Sequence, residues 1–533
     1  MFELSKAEPK NNIRKLSKQQ IDDINSIVNK TGWSFDEAKA KMKSVKKKYG
    51  ITFKHYNAFN FYIYEEEDIA MEYGILQKTA KLIAEKMDWD EKHAFKAMAT
   101  LMHRIDTPFS KSIFNSESGL NTELEKMISE IKANEEVFER RVETIMLATS
   151  CTHKQAEKQL KRAKNKLGIS NKNYIRLQLY KYPKEEHNRI YKEYLEENKK
   201  ARRAEVEEYR GKIMNATGWS REETKEKVKI AKERTHCTTK EYFIYHFYEL
   251  TDEEQDSVAL TYNSKQVGKK YDIDRSFVSV LCNKELTNDF FAECIIRPWC
   301  VNTKISEAEF VEKFAQSDRI IYKPLQGHKG FGVEAFDLSE GNHSQVYNKL
   351  KNYPEGVVEQ FVKQHEDINK MADSSVNTIR VVTVSSNHEP VTSDGKMFDI
   401  AYTSFRIGGG KSIVDNFHSG GMCAVVDKET GIVVTNGADQ YGNAFEEHPL
   451  TKTTIKGFKI PYFKEIIDMV TTACTQKHIE GYLGWDIAVS VDGPELIEVN
   501  AMPGIVLLST PYATEKKGMK CVLEQYYDFN SSK

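Results

Sequence analysis

Residues 484–504 read GWDIAVSVDGPELIEVNAMPG, and this stretch predicts two β-strands joined by a tight turn. The apolar runs on either side of the Asp-Gly-Pro turn are typical of a β-hairpin. We place Asp486 at the end of the first strand. Glu498 and Asn500 lie two positions apart on the second strand, so they share one face of it. The hairpin therefore brings together three oxygen-bearing side chains, a set that suits a hard cation such as Mg²⁺.

An exposed polar strand face is the alternative interpretation of Asp486, Glu498 and Asn500. The turn Ala501-Met-Pro-Gly504 argues against that alternative, because such a turn is unusual at an ordinary surface. The three residues are therefore the candidate metal ligands.

A second motif lies upstream, where a predicted strand over residues 320–323 runs into a glycine-rich loop. Glycines let backbone N–H groups approach phosphates, and a lysine supplies a point charge for them. The loop is not a P-loop, since no Gly-Lys-Ser/Thr follows, and its G-x-x-G-x-G spacing is not a dinucleotide fingerprint. Its candidate nucleotide-binding residues are Lys323, Gly327, Lys329, Gly330 and Gly332.

Three further segments lie between the lysine loop and the hairpin. An apolar strand over residues 356–362 carries Glu359 and Gln360. Arg380 and Arg406 lie on or beside strands, where an arginine is often a partner in a structural salt bridge. A third segment reads Asn-Phe-His-Ser-Gly-Gly over residues 416–421. The position of the arginines, between a phosphate-type loop and a metal-type carboxylate set, favours a functional role for them.

The order of these segments resembles the ATP-grasp superfamily over roughly residues 280–510. The chain looks closest to ligases of the glutathione synthetase and ribosomal-protein glutamate ligase type. It is also similar to the ATP-grasp group found beside sugar-transfer and surface-polysaccharide genes. The resemblance implies an α+β fold in which two subdomains sandwich ATP.

The resemblance also implies a role for each matching residue. Lys323 and the earlier Lys284 would hold the nucleotide phosphates, and the loop from Gly327 to Gly332 would close over them. The adenine-binding hinge would be formed, largely through backbone groups, by Glu359, Gln360, Phe361 and Val362. Either Glu366 or Asp367 would bind the ribose.

The remaining implied roles concern the reaction itself. Arg380 and Arg406 would hold the γ-phosphate or an acyl phosphate, and Asn416 would steady the transferred phosphoryl group. His418, in the same segment, completes the candidate catalytic set. The implied metals are two Mg²⁺ ions, with Mn²⁺ as an alternative, on Asp486, Glu498 and Asn500.

The activity implied is ATP-dependent joining of a small-molecule or peptide carboxylate to an amine, through an acyl phosphate, with release of ADP and phosphate. A setting in cell-surface polysaccharide or peptide modification follows from the resemblance alone. Two alternatives stay open: a kinase that phosphorylates a hydroxyl group, and a nucleotide-switched scaffold. The identities of the acid and the amine, and the oligomeric state, are also open.

The first half of the chain has a different composition, and the change falls near residue 255. Thr-Gly-Trp-Ser occurs twice before a helical pattern, at residues 31–34 and 217–220, and each copy is followed by a glutamate that completes a capping box. Weaker copies begin near residues 90 and 152. We therefore predict an all-α region of about four helical hairpins over residues 1–255, starting near 34, 90, 152 and 220, and a catalytic domain over 256–533.

The tyrosines and phenylalanines of these hairpins are typical of core packing, and the alternative is a concave surface for a carrier or protein partner. The formal net charge of −1 gives no general attraction to nucleic acid. No run of some 18 apolar residues predicts a membrane span, and the first residues lack the apolar core of a signal peptide. The 8 cysteines form no Cys-x-x-Cys pair, which favours reduced thiols in the cytoplasm.

Overall fold

The structure is a computed structural model of the 533-residue chain, and it describes residues 18–59, 61–87, 89–95, 98, 128, 138–139, 141–146, 148–273, 275–325, 332–338, 341–373, 375–409 and 420–529. The chain divides into two compact units, Met1–Glu157 and Lys158–Lys533. The boundary between residues 255 and 256 inferred from composition stays a prediction.

The first unit is helical throughout the elements whose bounds are described. These are α1 (Lys18–Thr31), α2 (Phe35–Tyr49), α3 (Phe53–Ala58), a 3₁₀ turn (Phe61–Ile63) and α4 (Glu66–Met87). The predicted capping box starts α2: the Ser34 side chain accepts from the Glu37 N–H, and Glu37 accepts from the Ser34 backbone. Phe59 and Phe61 pack in the core that these helices share.

One local pattern occurs three times in the described part of the chain, as a 15-residue helix followed by a 6-residue helix. A residue with a left-handed backbone separates the two helices each time, with φ of 73° at Gly50, 66° at Gly168 and 64° at His236. Tyr56, Tyr174 and Tyr242 occupy the same position in the three 6-residue helices, and all three are buried. The copy near residue 90 lies largely outside the described residues, so the four-hairpin arrangement stays a prediction.

The remaining helices with described bounds lie from residue 153 onward. The division between the two units falls within the first of them, His153–Leu167. They are α5 (His153–Leu167), α6 (Asn171–Arg176), α7 (His187–Thr217), α8 (Arg221–Thr235), α9 (Thr239–Ile244), α10 (Asp252–Asp256), α11 (Thr261–Lys270), α12 (Arg275–Leu281), α13 (Lys284–Phe290), α14 (Glu307–Lys313), α15 (His343–Leu350), α16 (Glu366–Met371), α17 (Phe463–Gln476), α18 (Val506–Thr514) and α19 (Lys520–Glu524). None of the helices in the described ranges is long and apolar enough to traverse a lipid bilayer.

The strands of the second unit form two antiparallel sheets. They are β1 (Trp299–Val301), β2 (Arg319–Pro324), β3 (Glu334–Asp337), β4 (Gly356–Gln360), β5 (Thr378–Ser385), β6 (Phe398–Ile407), β7 (Met422–Val426), β8 (Gly437–Asp439), β9 (Ala444–Phe445), β10 (Gly481–Ser490) and β11 (Gly493–Ala501). The small sheet has the order β1-β4-β2-β3, and the large sheet has the order β11-β10-β5-β6-β7-β8-β9. The predicted fold class, a helical region followed by an α+β region, is confirmed.

Helix α17 packs on one face of the large sheet through residues spaced for a single helix face. Ile466, Val470 and Ala473 are buried in the same core as Ile379 and Trp485. Trp485 is adjacent to Asp486, so the packing that buries one face of β10 leaves its other face for polar side chains.

β-branched runs in the sequence predict strands over residues 379–384, 431–434 and 495–499, and two of the three are present, within β5 and β11. The third, over residues 431–434, is not a strand: Ile432 and Val433 make only isolated bridges, to Lys459 and Val426. Gly431 has φ of 72° and closes a turn that the Asp427 side chain stabilises, so the chain changes direction there.

Candidate active site

Asp486 lies in the middle of β10 and not at the strand end that its sequence suggests. It pairs in register with Glu498 of β11 on one side and with Arg380 of β5 on the other. The strand continues to Ser490 because Ile487 is buried and keeps partners in both neighbouring strands. Antiparallel pairing therefore places two carboxylates and a guanidinium in one row across the large sheet.

The carboxylate of Asp486 is buried and accepts hydrogen bonds from two arginines. Arg380 binds it in a bidentate manner, with Nε 2.5 Å from Oδ1 and Nη2 2.8 Å from Oδ2. Arg406 Nη1 donates to Oδ2 at 2.7 Å, and Asn500 Nδ2 donates to it at 3.2 Å. Burial opposes ionisation, but the positive charges of Arg380 and Arg406 outweigh it and lower the pKa of Asp486.

Glycine at position 484 makes room for this arrangement. An added Cβ would lie 2.8 Å from the Cβ of Pro503 and 3.0 Å from the Cδ of Arg380. Arg406 comes from the next strand, β6, where it pairs with Thr378. The two arginines thus reach one carboxylate from neighbouring strands.

Glu498 is exposed at the rim of this cluster, although protein surrounds its carboxylate closely enough to shift its pKa. Desolvation and then the negative charge of Asp486 raise the pKa of Glu498. Lys284, the first residue of α13, lies near enough to interact electrostatically with Glu498. Burial lowers the pKa of Lys284, and Glu498 acts in the opposite direction. Lys284 therefore adds a positive charge where the two sheets approach each other.

The predicted metal ligands Asp486, Glu498 and Asn500 do come together, and their oxygens are the donor type that Mg²⁺ prefers. Across the described ranges, no group of three His, Cys, Asp or Glu side chains forms a metal-type cluster, so any cation here would rely on the two carboxylates and the amide. Both oxygens of Asp486 already accept from guanidinium groups. The donors fit a hard cation, provided that substrate phosphates draw the arginines away from Asp486.

A second buried carboxylate, Glu359 of β4, lies in the small sheet. Lys323 Nζ donates to its Oε2 at 2.6 Å, and Arg297 Nε donates to the same atom at 3.0 Å. Asn288 Nδ2 donates to Oε1 at 3.0 Å. Burial would raise the pKa of Glu359, but the charges of Arg297 and Lys323 hold it far below its usual value. Arg297 also contacts the buried Glu495 of β11, with Nη1 3.2 Å from Oε2.

The predicted hinge over residues 359–362, which starts within the end of β4, is partly engaged within the protein. The Gln360 N–H donates to the Pro298 carbonyl at 3.0 Å, and the Phe361 N–H donates to the Arg319 carbonyl at 2.9 Å. Val362 is buried, and Glu366 is exposed at the start of α16. The adenine and ribose roles of these residues stay predictions.

Five predicted site residues lie outside the described residues, namely Gly327, Lys329, Gly330, Asn416 and His418. Gly332, at the end of the lysine loop, has φ of 77°, which favours glycine. Gly409 and Gly420 lie close together: a Cβ on Gly409 would be 2.1 Å from the Gly420 carbonyl oxygen. The Gly408 N–H donates to the Asn377 side chain at 2.9 Å, which fixes the backbone at Gly408, two residues after Arg406.

Sequence reasoning missed Arg297, Glu495 and Asn288. A signal for Arg297 exists, because it is the single charged residue within the run Cys-Ile-Ile-Arg-Pro-Trp-Cys-Val over residues 294–301. A charged residue in such a run is expected to be buried with a partner. The spacing gives no indication of which partner it meets.

Comparison with known proteins agrees with this geometry. Residues 273–521 match the model of a family described as sugar-transfer associated ATP-grasp. Over these residues the match confirms the resemblance to the ATP-grasp superfamily that the sequence predicts. Enzymes with this fold generally use ATP and Mg²⁺ to join a carboxylate to an amine. No curated protein matches the chain.

Several solved structures are similar to part of the chain. D-alanine-D-alanine ligase from Coxiella burnetii has 12% identity and a TM-score of 0.27, and the match covers 46% of this chain and 58% of that one. N5-carboxyaminoimidazole synthetase from Staphylococcus aureus has 11% identity and a TM-score of 0.29, with 50% and 58% covered. D-alanyl-alanine synthetase A from Vibrio cholerae has 14% identity and a TM-score of 0.27, with 46% and 65% covered. The chain thus spans less than two thirds of each of these structures.

Proposed function

We propose that the protein is an ATP- and Mg²⁺-dependent carboxylate-amine ligase that forms an amide through an acyl phosphate. The observation that supports this most directly is the convergence of cationic side chains from both sheets. Arg380 and Arg406 meet at Asp486 in the large sheet, and Lys284 and Lys323 approach from the side of the small sheet. Such a concentration of positive charge is suited to a triphosphate.

In the proposed reaction a carboxylate oxygen of the acid attacks the γ-phosphorus of ATP. The bond from that phosphorus to the β,γ-bridging oxygen breaks, and ADP leaves. The amine nitrogen then attacks the acyl carbon, the bond to the phosphate oxygen breaks, and the amine loses a proton to solvent. The products are an amide, ADP and phosphate.

The side chains of this chain would act through charge and position. Arg380 and Arg406 would turn from Asp486 to the transferred phosphoryl group, and Lys284 and Lys323 would hold the other phosphates. Asp486, Glu498 and Asn500 would hold the metal, which when bound neutralises phosphate charge and orients the oxygens. Before substrate arrives, Asp486 keeps both guanidinium groups at the site.

The family description associates the domain with sugar transfer, and we propose that the acid or the amine belongs to a cell-surface polysaccharide or peptide. The test is an ADP-release screen of the purified protein with uronic acids, amino acids and dipeptides, each combined with amino sugars and amino acids. ADP and free phosphate should appear together only when both an acid and an amine are present.

The Asp486→Asn variant is the matched control, because it keeps the shape of the side chain and removes its charge. It should abolish ADP release with every productive pair. Full activity in this variant would contradict the assignment of Asp486. A stable phosphorylated product, formed without an amine, would contradict the ligase and identify a kinase instead.

A further inference from the structure

Arg297 lies between the two sheets, in the connector before β1, and its side chain is only 2% exposed. Its Nε contacts Glu359 of the small sheet at 3.0 Å. Its Nη1 contacts both Glu495 and the Leu496 carbonyl oxygen of the large sheet, at 3.2 Å and 2.9 Å. Its backbone N–H also donates to Glu495, at 3.2 Å. One guanidinium thus joins a strand of each sheet.

These contacts form a closed set of four charged groups. Arg297 and Lys323 carry the positive charges, and Glu359 and Glu495 carry the negative charges, so the set is neutral as a whole. Within it, Lys323 is the member that reaches solvent, with 14% of its side chain exposed, whereas the Glu359 side chain is 2% exposed. Lys323 is therefore the member of the set through which a ligand can be contacted.

The Glu359 carboxylate would compete with a nucleotide phosphate for Lys323. An ammonium held 2.6 Å from a buried carboxylate has much of its charge compensated. Arg297 contacts the same oxygen atom of Glu359, so it takes up part of the negative charge that Lys323 would otherwise neutralise alone. Arg297 also fixes the direction of that carboxylate, and Glu359 in turn fixes Lys323.

Arg297 connects this set to the proposed metal strand as well. Glu495 lies three residues before Glu498 on β11, and all three of the Arg297 contacts to that strand are buried. Asn288, on the helix that begins with Lys284, donates to the other oxygen of Glu359 at 3.0 Å. Glu359 therefore contacts both elements that carry a candidate phosphate-binding lysine. It accepts from Lys323 of β2 and from Asn288 of α13, the helix that starts with Lys284.

We propose that Arg297 is a positioning residue for nucleotide binding: it holds Glu359, and Glu359 in turn keeps Lys323 in place for the phosphates of ATP. This inference rests on the proposed function, because it assumes an adenine nucleotide beside Lys323. Arg297 itself does not contact the nucleotide.

The experiment measures affinities for ADP and for adenosine by calorimetry in the full-length protein. The double variant Arg297→Gln/Glu495→Gln removes one buried charge of each sign, and Glu495→Gln alone is its control. ADP affinity should fall by about 10-fold or more in the double variant, since a charged hydrogen-bonding group becomes misaligned. Adenosine affinity should stay unchanged, because adenosine has no phosphate. The control keeps the contact between Arg297 and Glu359, so its ADP affinity should fall less than that of the double variant.

Two outcomes would overturn the inference. Equal losses of ADP and adenosine affinity would show that Arg297 only maintains the fold, and unchanged ADP affinity would show that it has no part in binding. A second cycle uses Lys323→Gln: in that background the double variant should cause no further loss of ADP affinity. An additive loss would mean that Arg297 does not act through Lys323.

If the double variant does not fold, Arg297→Lys takes its place. A lysine keeps the charge but cannot span both carboxylates as a guanidinium does, so ADP affinity should fall while adenosine affinity is retained. A wild-type protein that binds no ADP would contradict the proposed function itself. A wild type that binds ADP, together with variants that bind it equally well, would contradict the role of Arg297 alone.

Discussion

The two sheets each contain a buried carboxylate held in the same way, by two cations and one asparagine amide. In the large sheet the set is Asp486 with Arg380, Arg406 and Asn500. In the small sheet it is Glu359 with Arg297, Lys323 and Asn288. Each set is balanced by one further carboxylate from β11 of the large sheet, which is Glu498 for the Asp486 set and Glu495 for the Glu359 set.

The two sets differ in how far this further carboxylate is exposed to solvent. Glu498 is exposed, whereas the side chain of Glu495 is only 6% exposed. Water and ions can therefore reach the large-sheet set, and the small-sheet set is closed except at Lys323. The Asp486 set has a solvent-exposed carboxylate and can therefore act as a candidate reaction site. The Glu359 set has buried carboxylates that pair within the protein, and it supports that site.

The sharpest test of this difference is a comparison of Arg297→Gln with Arg406→Gln in stability. Arg297→Gln leaves the buried Glu359 with Lys323 and removes the arginine that Glu495 contacts, so it should lower the free energy of unfolding by about 3–5 kcal/mol. Arg406→Gln should cost much less, because Arg380 still pairs with Asp486. Urea denaturation measures both. Equal losses would remove the distinction between the two sets.

For the rate of the reaction, we expect the larger effect from Arg406→Gln and the smaller one from Arg297→Gln. Arg406→Gln should lower kcat by about 10²- to 10³-fold, because it removes a preorganised charge from the transferred phosphoryl group. The control is Arg189→Gln, since Arg189 is an exposed arginine on α7 that pairs with Glu186 and Glu193. It should leave kcat unchanged. A normal kcat in Arg406→Gln would show that this arginine serves structure alone.

The two asparagines allow a matched comparison with smaller effects. Asn288→Ala removes a hydrogen bond to a buried charge and should cost about 1–3 kcal/mol of unfolding free energy. Asn500→Ala should cost less stability, because Asp486 keeps both arginines, but it should reduce ADP release. The interpretation of Asn500 as a functional residue would fail if its removal affected stability and left the rate intact.

The smallest expected effect is a difference in pH dependence. The folded-state pKa of Glu359 is lowered from 4.5, so its contribution to stability is present above that pH and is lost as the pH falls. The pKa of Glu498 is raised from 4.5, so its contribution is present below that pH and is lost as the pH rises. Glu359→Gln should therefore lower the free energy of unfolding at neutral pH, and this loss should shrink as the pH falls. Glu498→Gln should leave the free energy of unfolding unchanged or raise it at pH 7.

Urea midpoints between pH 3 and 8 measure both variants against the wild type. A loss in Glu359→Gln that grows as the pH falls would contradict the direction assigned to the pKa of Glu359.

Much of the local structure could be predicted from the sequence. The hairpin at residues 484–504 follows from its alternation and its Asp-Gly-Pro turn, and the capping boxes at Ser34 and Ser220 follow from Ser-x-x-Glu. The small-sheet set could not be predicted, because Arg297 is 62 residues from Glu359 and 198 residues from Glu495. Local spacing carries no information about such partners.

The sequence by itself determined the strand that carries Lys323, the hairpin that carries Asp486, and the resemblance to the ATP-grasp superfamily. Each of these depends on neighbouring residues, whose side chains alternate or cap in a way set by backbone geometry. Only the tertiary structure decided that Arg380 and Arg406 both bind Asp486, and that Arg297 joins the two sheets. Those contacts depend on the register of β5, β6 and β10 and on the approach of β4 to β11, which are fixed when separate parts of the chain pack together.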